Sequence, residues 1–457
     1  MNSKRSKRRS QKVVSLESLK QLNLNAAGLD IGDDEIWACV PEGRDAHSVR
    51  VFETFTVNLY ALADWLAACE VDTVALESTG VYWIPVYEVL EARGFEVCLV
   101  NARHVKKMGG RKTDVLDCQW LQQLHTYGLL KGSFRPDEDI VALRAIARQR
   151  DTLIRYRAMH IQHMQKALTQ MNLKLMNVVS DITGVTGLAI VRAIVQGERD
   201  PQRLAALRHP RCVHSEEDIA KALQGNWRSE HLFALQQALE FFDYYTQQMA
   251  ACDDQLEQRY AAFEPQVDVH IKPLAKPKRA RRKPERNAPA FDLRTYLYQL
   301  TGVDLTRIDG IDALTVHNVI CEIGLDMSRW PTVKHFTSWL RLAPYEDKSG
   351  GKTLRRGVPK TQNRANLALR RAAQSLYHSQ SALGAFYRRI QRRHGPATAV
   401  SATAHKLARI IYHLLKSGEE YRDPGQDYFD VKYRDRAVSN LKRRAKQLGF
   451  EVAPVSD

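Results

Sequence analysis

Acidic residues are the scarcer charge in this chain of 457 residues: 52 Asp and Glu stand against 68 Lys and Arg, leaving a net charge of +16. A surplus of that size favours a polyanionic partner bound with a steep salt dependence; the alternative is a basic protein without one. Cysteine is sparse and odd in number. Cys39, Cys69, Cys98, Cys118, Cys212, Cys252 and Cys321 are scattered, with no CxxC and no Cys/His ligand spacing. That pattern excludes a disulfide framework and structural zinc, and reads as buried thiols in a reducing cytoplasm. No run approaches the roughly 18 apolar residues of a membrane span. The opening MNSKRSKRRSQK has the charge of a signal-peptide start, but no apolar core follows it. Residues 1–22 therefore read as a flexible basic arm, either lying along phosphates or simply solvated. An RNP-like or GXXG clamp signature is also missing, so no motif of the chain by itself points to RNA.

What is present begins with an α/β rhythm. AAGLDI, IWACV, VRVFETFTV, TVALES and EVCLV read as strands; LYALADWLAACE and YWIPVYEVLEARG read as helices. Three strands with short connections, then alternating strand and helix, fit a ribonuclease-H-like (RuvC-like) domain over 23–135, although other α/β folds share that order. Residues 136–263 read as a helical or coiled-coil region. One apolar stripe runs from Ile140 to Leu175, interrupted by Arg150 and Arg157, and a second from Leu232 to Phe263. The stripes suit an antiparallel hairpin, a coiled coil between subunits, or two helices packed on one domain; the two arginines could face nucleic acid. Residues 264–290, with IKPLAKPKRARRKPERNAP, read as a basic Pro-rich linker. A mainly helical domain over 291–422 and a basic amphipathic tail over 423–457 follow.

Four carboxylates stand out. Asp30 ends AAGL and Glu77 ends VAL, while Asp114 and Asp117 in KTDVLD sit at i and i+3, on one face of a helix. Gly28 and Gly32 beside Asp30 allow close backbone approach. Oxygen ligands of this kind suit Mg²⁺ or Mn²⁺ acting on phosphates, and Lys106, Lys107, Arg111 and Lys112 upstream supply positive charge. Individually, a strand-end acid is more often a turn or cap residue. Two glycine turns, at Gly184 and Gly187 in ITGVTG and at Gly310 in LTRIDGID, either cradle a phosphate or simply join helices. Further along, Ser349 precedes two glycines, with Lys352, Arg355, Arg356, Lys360 and Arg364 close in sequence. A serine among cations suits attack on phosphorus, whereas Ser-Gly-Gly is also a common flexible loop.

GLDIG, ALESTG, GRKTDVLDCQWLQQLHTYGLL and APYEDKSGGKTLRRG, in this order, closely resemble the DEDD-type transposases of bacterial insertion sequences, a family related to the Piv-type invertases. The resemblance implies a RuvC-like domain followed by a C-terminal transposase domain. It implies that Asp30, Glu77, Asp114 and Asp117 bind metal and that Ser349 is a nucleophile forming a 5′-phosphoserine link to DNA. It further implies donor and target DNA as partners, a bridge RNA as guide, and a homo-oligomer, dimer or tetramer, with one active site composed across subunits. Two departures are visible: the linker around Lys276–Arg286 is long and basic, and KTQNR stands where a KxGN-like pattern is frequent, which leaves the role of Asn363 open. The competing expectations are a metal-dependent nuclease or Holliday-junction resolvase without a covalent intermediate, and a nucleic-acid-binding protein without activity.

Overall fold

The computed structural model describes residues 19–78, 80–101, 114–277, 287–359, 361 and 363–453. They form two compact units, divided between Arg135 and Pro136. Among the described residues no helix is long and apolar enough to cross a membrane, and all seven cysteines are free.

The first unit is built on β1 (Ala26–Ile31), β2 (Glu35–Cys39), β3 (Val49–Glu53), α1 (Thr56–Ala68), β4 (Thr73–Glu77), α2 (Trp83–Ala92), β5 (Glu96–Val100) and α3 (Asp114–Thr126). Five strands make one sheet in the order β3-β2-β1-β4-β5. β1 to β3 form an antiparallel meander, and β4 and β5 run parallel to β1. The apolar run VRVFETFTV yields a strand only as far as Glu53; its second half opens α1, whose Leu59, Leu62 and Leu66 need a helical period to reach the core. Alternation assigns the two faces of the sheet. Ala27, Leu29, Leu76 and Leu99 pack against Leu62, Leu66, Val86 and Leu90 of α1 and α2. Gly28, Asp30 and Ala75 have the opposite parity. There α3 lies directly on β1: a Cβ on Gly28 would come 2.3 Å from the carbonyl oxygen of Cys118 and 2.4 Å from the amide nitrogen of Gln122. Only glycine permits this approach.

The second unit is helical apart from one hairpin. Its elements are α4 (Glu138–Gln170), α5 (Leu175–Val178), α6 (Val185–Val195), α7 (Pro201–Ala205), α8 (Glu216–Ala222), α9 (Ser229–Ala262), α10 (Leu293–Thr301), α11 (Ala313–Ile323), α12 (Val333–Trp339), β6 (Tyr345–Ser349), β7 (Lys352–Gly357), α13 (Arg364–Ser375), α14 (Ala382–His394), α15 (Pro396–Ser417) and α16 (Asp427–Gln447). α4 and α9 pack on each other as an antiparallel hairpin, tipped by the short helices α5 to α8. Met164, Leu168, Ile190, Ile219, Leu235 and Leu239 share one core there.

Of the arginines that interrupt the first stripe, one is buried and the other half-buried. Arg150 is buried and makes a two-pronged ion pair with buried Asp253, while its Nη1 donates to the carbonyl of Asn287 at 3.0 Å. Arg157 donates to Asn287 Oδ1 at 2.7 Å and lies over the Phe242 ring. The nucleic-acid role considered for Arg150 is thus corrected: it is buried within the hairpin and holds it together. At the hairpin base, Arg144 donates to the carbonyls of Cys321 and Glu322, Arg148 pairs with Glu322 at 2.7 Å, and the buried Tyr260 hydroxyl meets His317 Nδ1 at 2.7 Å.

Candidate active-site elements

The carboxylates of the first unit are placed by strand register. Leu29 is the parallel partner of Leu76, so Asp30 and Glu77, one residue further on, end adjacent central strands side by side. Both have the parity of Gly28, toward α3. The direction of α3 follows from its contacts. Cys118 and Gln122 lie over Gly28, while His125, near its C-terminus, meets Thr73 at the start of β4 through Thr73 Oγ1 and His125 Nε2 at 2.8 Å. The helix therefore runs antiparallel to β1 and β4, and its first turn, which holds Asp114 and half-buried Asp117, comes to the strand ends that carry Asp30 and Glu77. A helix N-terminus adds about half a positive charge at that end.

Beneath it, the thiol of Cys118 is pushed up by its hydrogen bond with Cys39, by burial and by the nearby charge of Asp30, and stays protonated. Burial likewise lowers the pKa of His125, which sits neutral against Thr73. The side chain of Asp114 lies outside the described residues, as do Lys106, Lys107, Arg111 and Lys112. Among the described residues no three His, Cys, Asp or Glu side chains group closely enough to hold a metal. The donor chemistry nevertheless fits a hard divalent cation, because every candidate is a carboxylate and one sheet end gathers the two strand acids and the first turn of α3.

Ser349 lies at the tip of the only two-stranded ribbon among the described residues. β6 and β7 pair antiparallel, and Gly350 and Gly351 between them take φ of +56° and +77°, the left-handed pair that a two-residue hairpin turn demands. All of β6 is exposed. Ser349 is directly opposite Lys352, so the hydroxyl and the ammonium stem share a face. Lys348 then pairs with Thr353 but Asp347 with Arg355, which skips Leu354. This bulge brings Arg355 to the face of Ser349. On the other face Glu346 accepts from Thr353 Oγ1 at 2.6 Å and pairs with Lys348 at 3.0 Å. The side chain of Arg356, and Lys360 entirely, lie outside the described residues. At the ribbon's base Tyr345 and Gly357 border a groove of about 1290 Å³ that also takes in Asn366, Arg370 and His394.

Asn363 has a defined place: its side chain accepts from the amide of Asn366 at 3.0 Å and caps α13. Sequence reading missed this, although an Asn directly before an apolar-periodic stretch is a standard helix start. The two glycine turns are helix connections. Asp312 caps α11 by accepting from the Thr315 amide at 2.8 Å, and Asp181 accepts from the amide and hydroxyl of Thr183. A carboxylate thus occupies the place a phosphate would take at each turn. Gly310 is needed for space as well as for its φ of +84°, since a Cβ there would come 2.9 Å from the carbonyl of Ala372.

Two family models match the chain. Residues 27–173, which include all of the carboxylate-bearing sheet but Ala26, match a model described as a transposase, of the DEDD type. Residues 304–388, which include the Ser349 ribbon, match the model of the transposase IS116/IS110/IS902 family. No curated protein matches. With both models from one group, in chain order and together spanning just over half of its length, the chain belongs to the IS110 family of insertion-sequence transposases, enzymes that act on DNA.

Proposed function

We propose that this transposase cuts and rejoins DNA strands with Ser349 as nucleophile and a divalent metal, Mg²⁺ or Mn²⁺, held by Asp30, Glu77, Asp114 and Asp117. The observation that carries the reading is the shared sheet end: adjacent strands end in Asp30 and Glu77, and the first turn of α3 reaches the same point. A central strand flanked by one antiparallel and one parallel neighbour, in the order β3-β2-β1-β4-β5, supports assigning this unit to the RNase H-like, RuvC-like class.

In this mechanism Asp30, Glu77, Asp114 and Asp117 would hold the metal, which would supply electrophilic polarisation of a phosphate when bound. The Ser349 oxygen forms a bond to phosphorus as the P–O3′ bond breaks; the serine proton passes to solvent and the 3′ oxygen leaves as a hydroxyl. Attack by a second 3′ hydroxyl reverses these bond changes and frees the serine. Lys352 and Arg355, on the same face of the ribbon, offset the charge that builds on the phosphoryl oxygens. A bridge RNA that chooses donor and target DNA rests on the family resemblance, and sequencing of copurified RNA tests it.

The test of the nucleophile is a protein–DNA adduct that survives denaturation, formed with Mg²⁺ by the wild type and lost in Ser349→Ala, while Asp30→Asn loses cleavage altogether. An undiminished adduct in Ser349→Ala sinks the assignment. Cleavage with no adduct would restore the metal-dependent nuclease or resolvase reading, which the two transposase matches disfavour.

A further inference from the structure

A cavity at the foot of the Ser349 ribbon has no part in the chemistry proposed above. α15 forms one of its walls. Leu407, Ala408, Ile411 and Leu414 of this helix are buried in the core, while two rows at i+4 spacing, Ala402–Lys406–Ile410 and His405–Arg409–His413, line a cavity of about 590 Å³. The other walls are Phe386 of α14 and Leu342, Pro344 and Val358, where the chain enters and leaves the ribbon. Lys406 Nζ lies over the Phe386 ring, 4.8 Å from its centroid, and holds the ring as a platform. Burial, with a smaller contribution from the charge of Arg409, lowers the pKa of His405, so its imidazole is neutral at pH 7 and offers a second flat surface. Among the described residues no carboxylate lines the cavity. Pro344, Val358, Thr398 and Ser401 also border the groove at the ribbon's base, so the one opens into the other.

We propose that this cavity takes one unstacked base of the DNA strand that lies along the ribbon, within about five nucleotides of the phosphate that Ser349 attacks. The distance rests on the assignment of Ser349 to that phosphate. Pro344 and Ser349 are five residues apart, about 17 Å of extended chain, which one strand of B-DNA covers in about five nucleotides. Charge and shape select the occupant. An apolar hole with Lys406 and Arg409 among its lining and no acid suits a flat, apolar group with an anion beside it, which is what a nucleotide presents. The core of a protein interface is depleted in charge, and a base pair within a duplex shows a groove only its edges. An apolar peptide would leave the cations unused, and an intact duplex would leave the platform unused. The volume lies within the roughly 300–1,000 Å³ of sites for a single small ligand. Unstacking a base is least costly where a strand is already being opened, and strand exchange opens this one; stacking on rings beside cations offsets the rest. A base held here fixes the register of the strand against Ser349.

The test uses the full-length protein with whatever RNA copurifies, bound to a duplex carrying an end of its own element, with Ca²⁺ in place of Mg²⁺ so that binding is read before any bond breaks. 2-Aminopurine, which brightens when unstacked, replaces each base in turn across that interval on both sides of the cleaved phosphate. One position should brighten several-fold on binding. Ala402→Trp, which fills the cavity, should abolish the rise and weaken binding about 10-fold. Ile410→Trp fills it from the far end of the same row and serves where Ala402→Trp lowers the melting temperature. An abasic residue at the responsive position should close the gap between wild type and filled variant, a rescue that a misfolded variant cannot show. No brightening at any DNA position, which would leave the cavity to RNA or another ligand, would overturn the proposal. So would a rise that persists in both filled variants, filled variants that bind intact DNA as the wild type does, or an equal gap on abasic DNA. Because no bond breaks in this assay, loss of the Ser349 adduct assignment would leave the brightening intact, whereas failure here leaves the nucleophile standing.

Discussion

Gly28→Ala is the sharpest probe of how the carboxylate end is built. The added methyl would sit 2.3 Å from the Cys118 carbonyl oxygen, 2.4 Å from the Gln122 nitrogen and 2.9 Å from the Gln122 Cα. These are backbone atoms of α3, so no side chain can rotate away. Restoring even a 3.0 Å contact moves the helix by 0.7 Å or more. Overpacking of this kind costs about 1–3 kcal/mol, which lowers the melting temperature of a unit this size by several degrees. The larger effect falls on function, because the same helix brings Asp114 and Asp117 to Asp30 and Glu77. A misplacement of about 1 Å commonly costs on the order of 100-fold in rate. Metal-dependent strand transfer should therefore fall by about two orders of magnitude in a protein that still folds. Gly132→Ala is the control in the same unit, since its nearest neighbour is the Cys98 sulfur at an ordinary 3.5 Å. Gly28→Ala with wild-type melting and strand transfer within about two-fold would refute the packing argument.

Three further outcomes follow from the second unit. Arg150→Met leaves Asp253 buried and unpaired and should cost about 3–5 kcal/mol in chemical denaturation, largely recovered in Arg150→Met/Asp253→Leu; weakened DNA binding with unchanged stability would return Arg150 to a nucleic-acid role. Burial, with a smaller contribution from Arg150, lowers the His317 pKa to about 4. The unfolded chain takes up this proton near pH 6.5 and the folded chain does not, so stability should fall by about 3 kcal/mol as pH drops from 6.5 to 4. His317→Gln should flatten that part of the profile, and an unaltered slope would refute the assignment. Asn363→Ala should cost about 1 kcal/mol through the lost cap of α13 while Asn363→Asp retains it; equal losses in melting experiments on both would argue that Asn363 does something else.

The legible parts of the sequence were those where local pattern and tertiary role coincide. AAGLDI and TVALE are the adjacent central strands, buried on both faces over most of their length, and their nearly uninterrupted apolar character marked them with their ends. Asp30 and Glu77 could be singled out because a charge at the end of such a run has no packing role to explain it. Arg150 could not be read, because whether an arginine in an apolar stripe faces solvent or a buried carboxylate depends on Asp253, 103 residues later. The glycine turn at Gly310 failed for a similar reason: the sequence offers amides to a phosphate, and only the fold shows Asp312 already capping the helix. The Ser349 segment read as loop because every residue of β6 is exposed, which removes the polar–apolar alternation that identifies a strand. Its signal was the Gly-Gly pair, a two-residue turn whose flanks can pair without any core.

The skipped residue in that ribbon makes a slip of register, and not a change of composition, the event that would alter the face of Ser349. Leu354 is 67% exposed and has no strand partner, so its replacement by another residue should matter little. Its deletion should keep every later side chain on its face, because Thr353 and Arg355 already stand opposite the consecutive residues Lys348 and Asp347; what goes is the local bend. Drawing Leu354 into the ladder opposite Asp347 is different. Arg355 would then pass to the face of Glu346 and leave Lys352 as the cation beside Ser349. The residue that stays out of the pairing is thus what holds the second cation beside the hydroxyl.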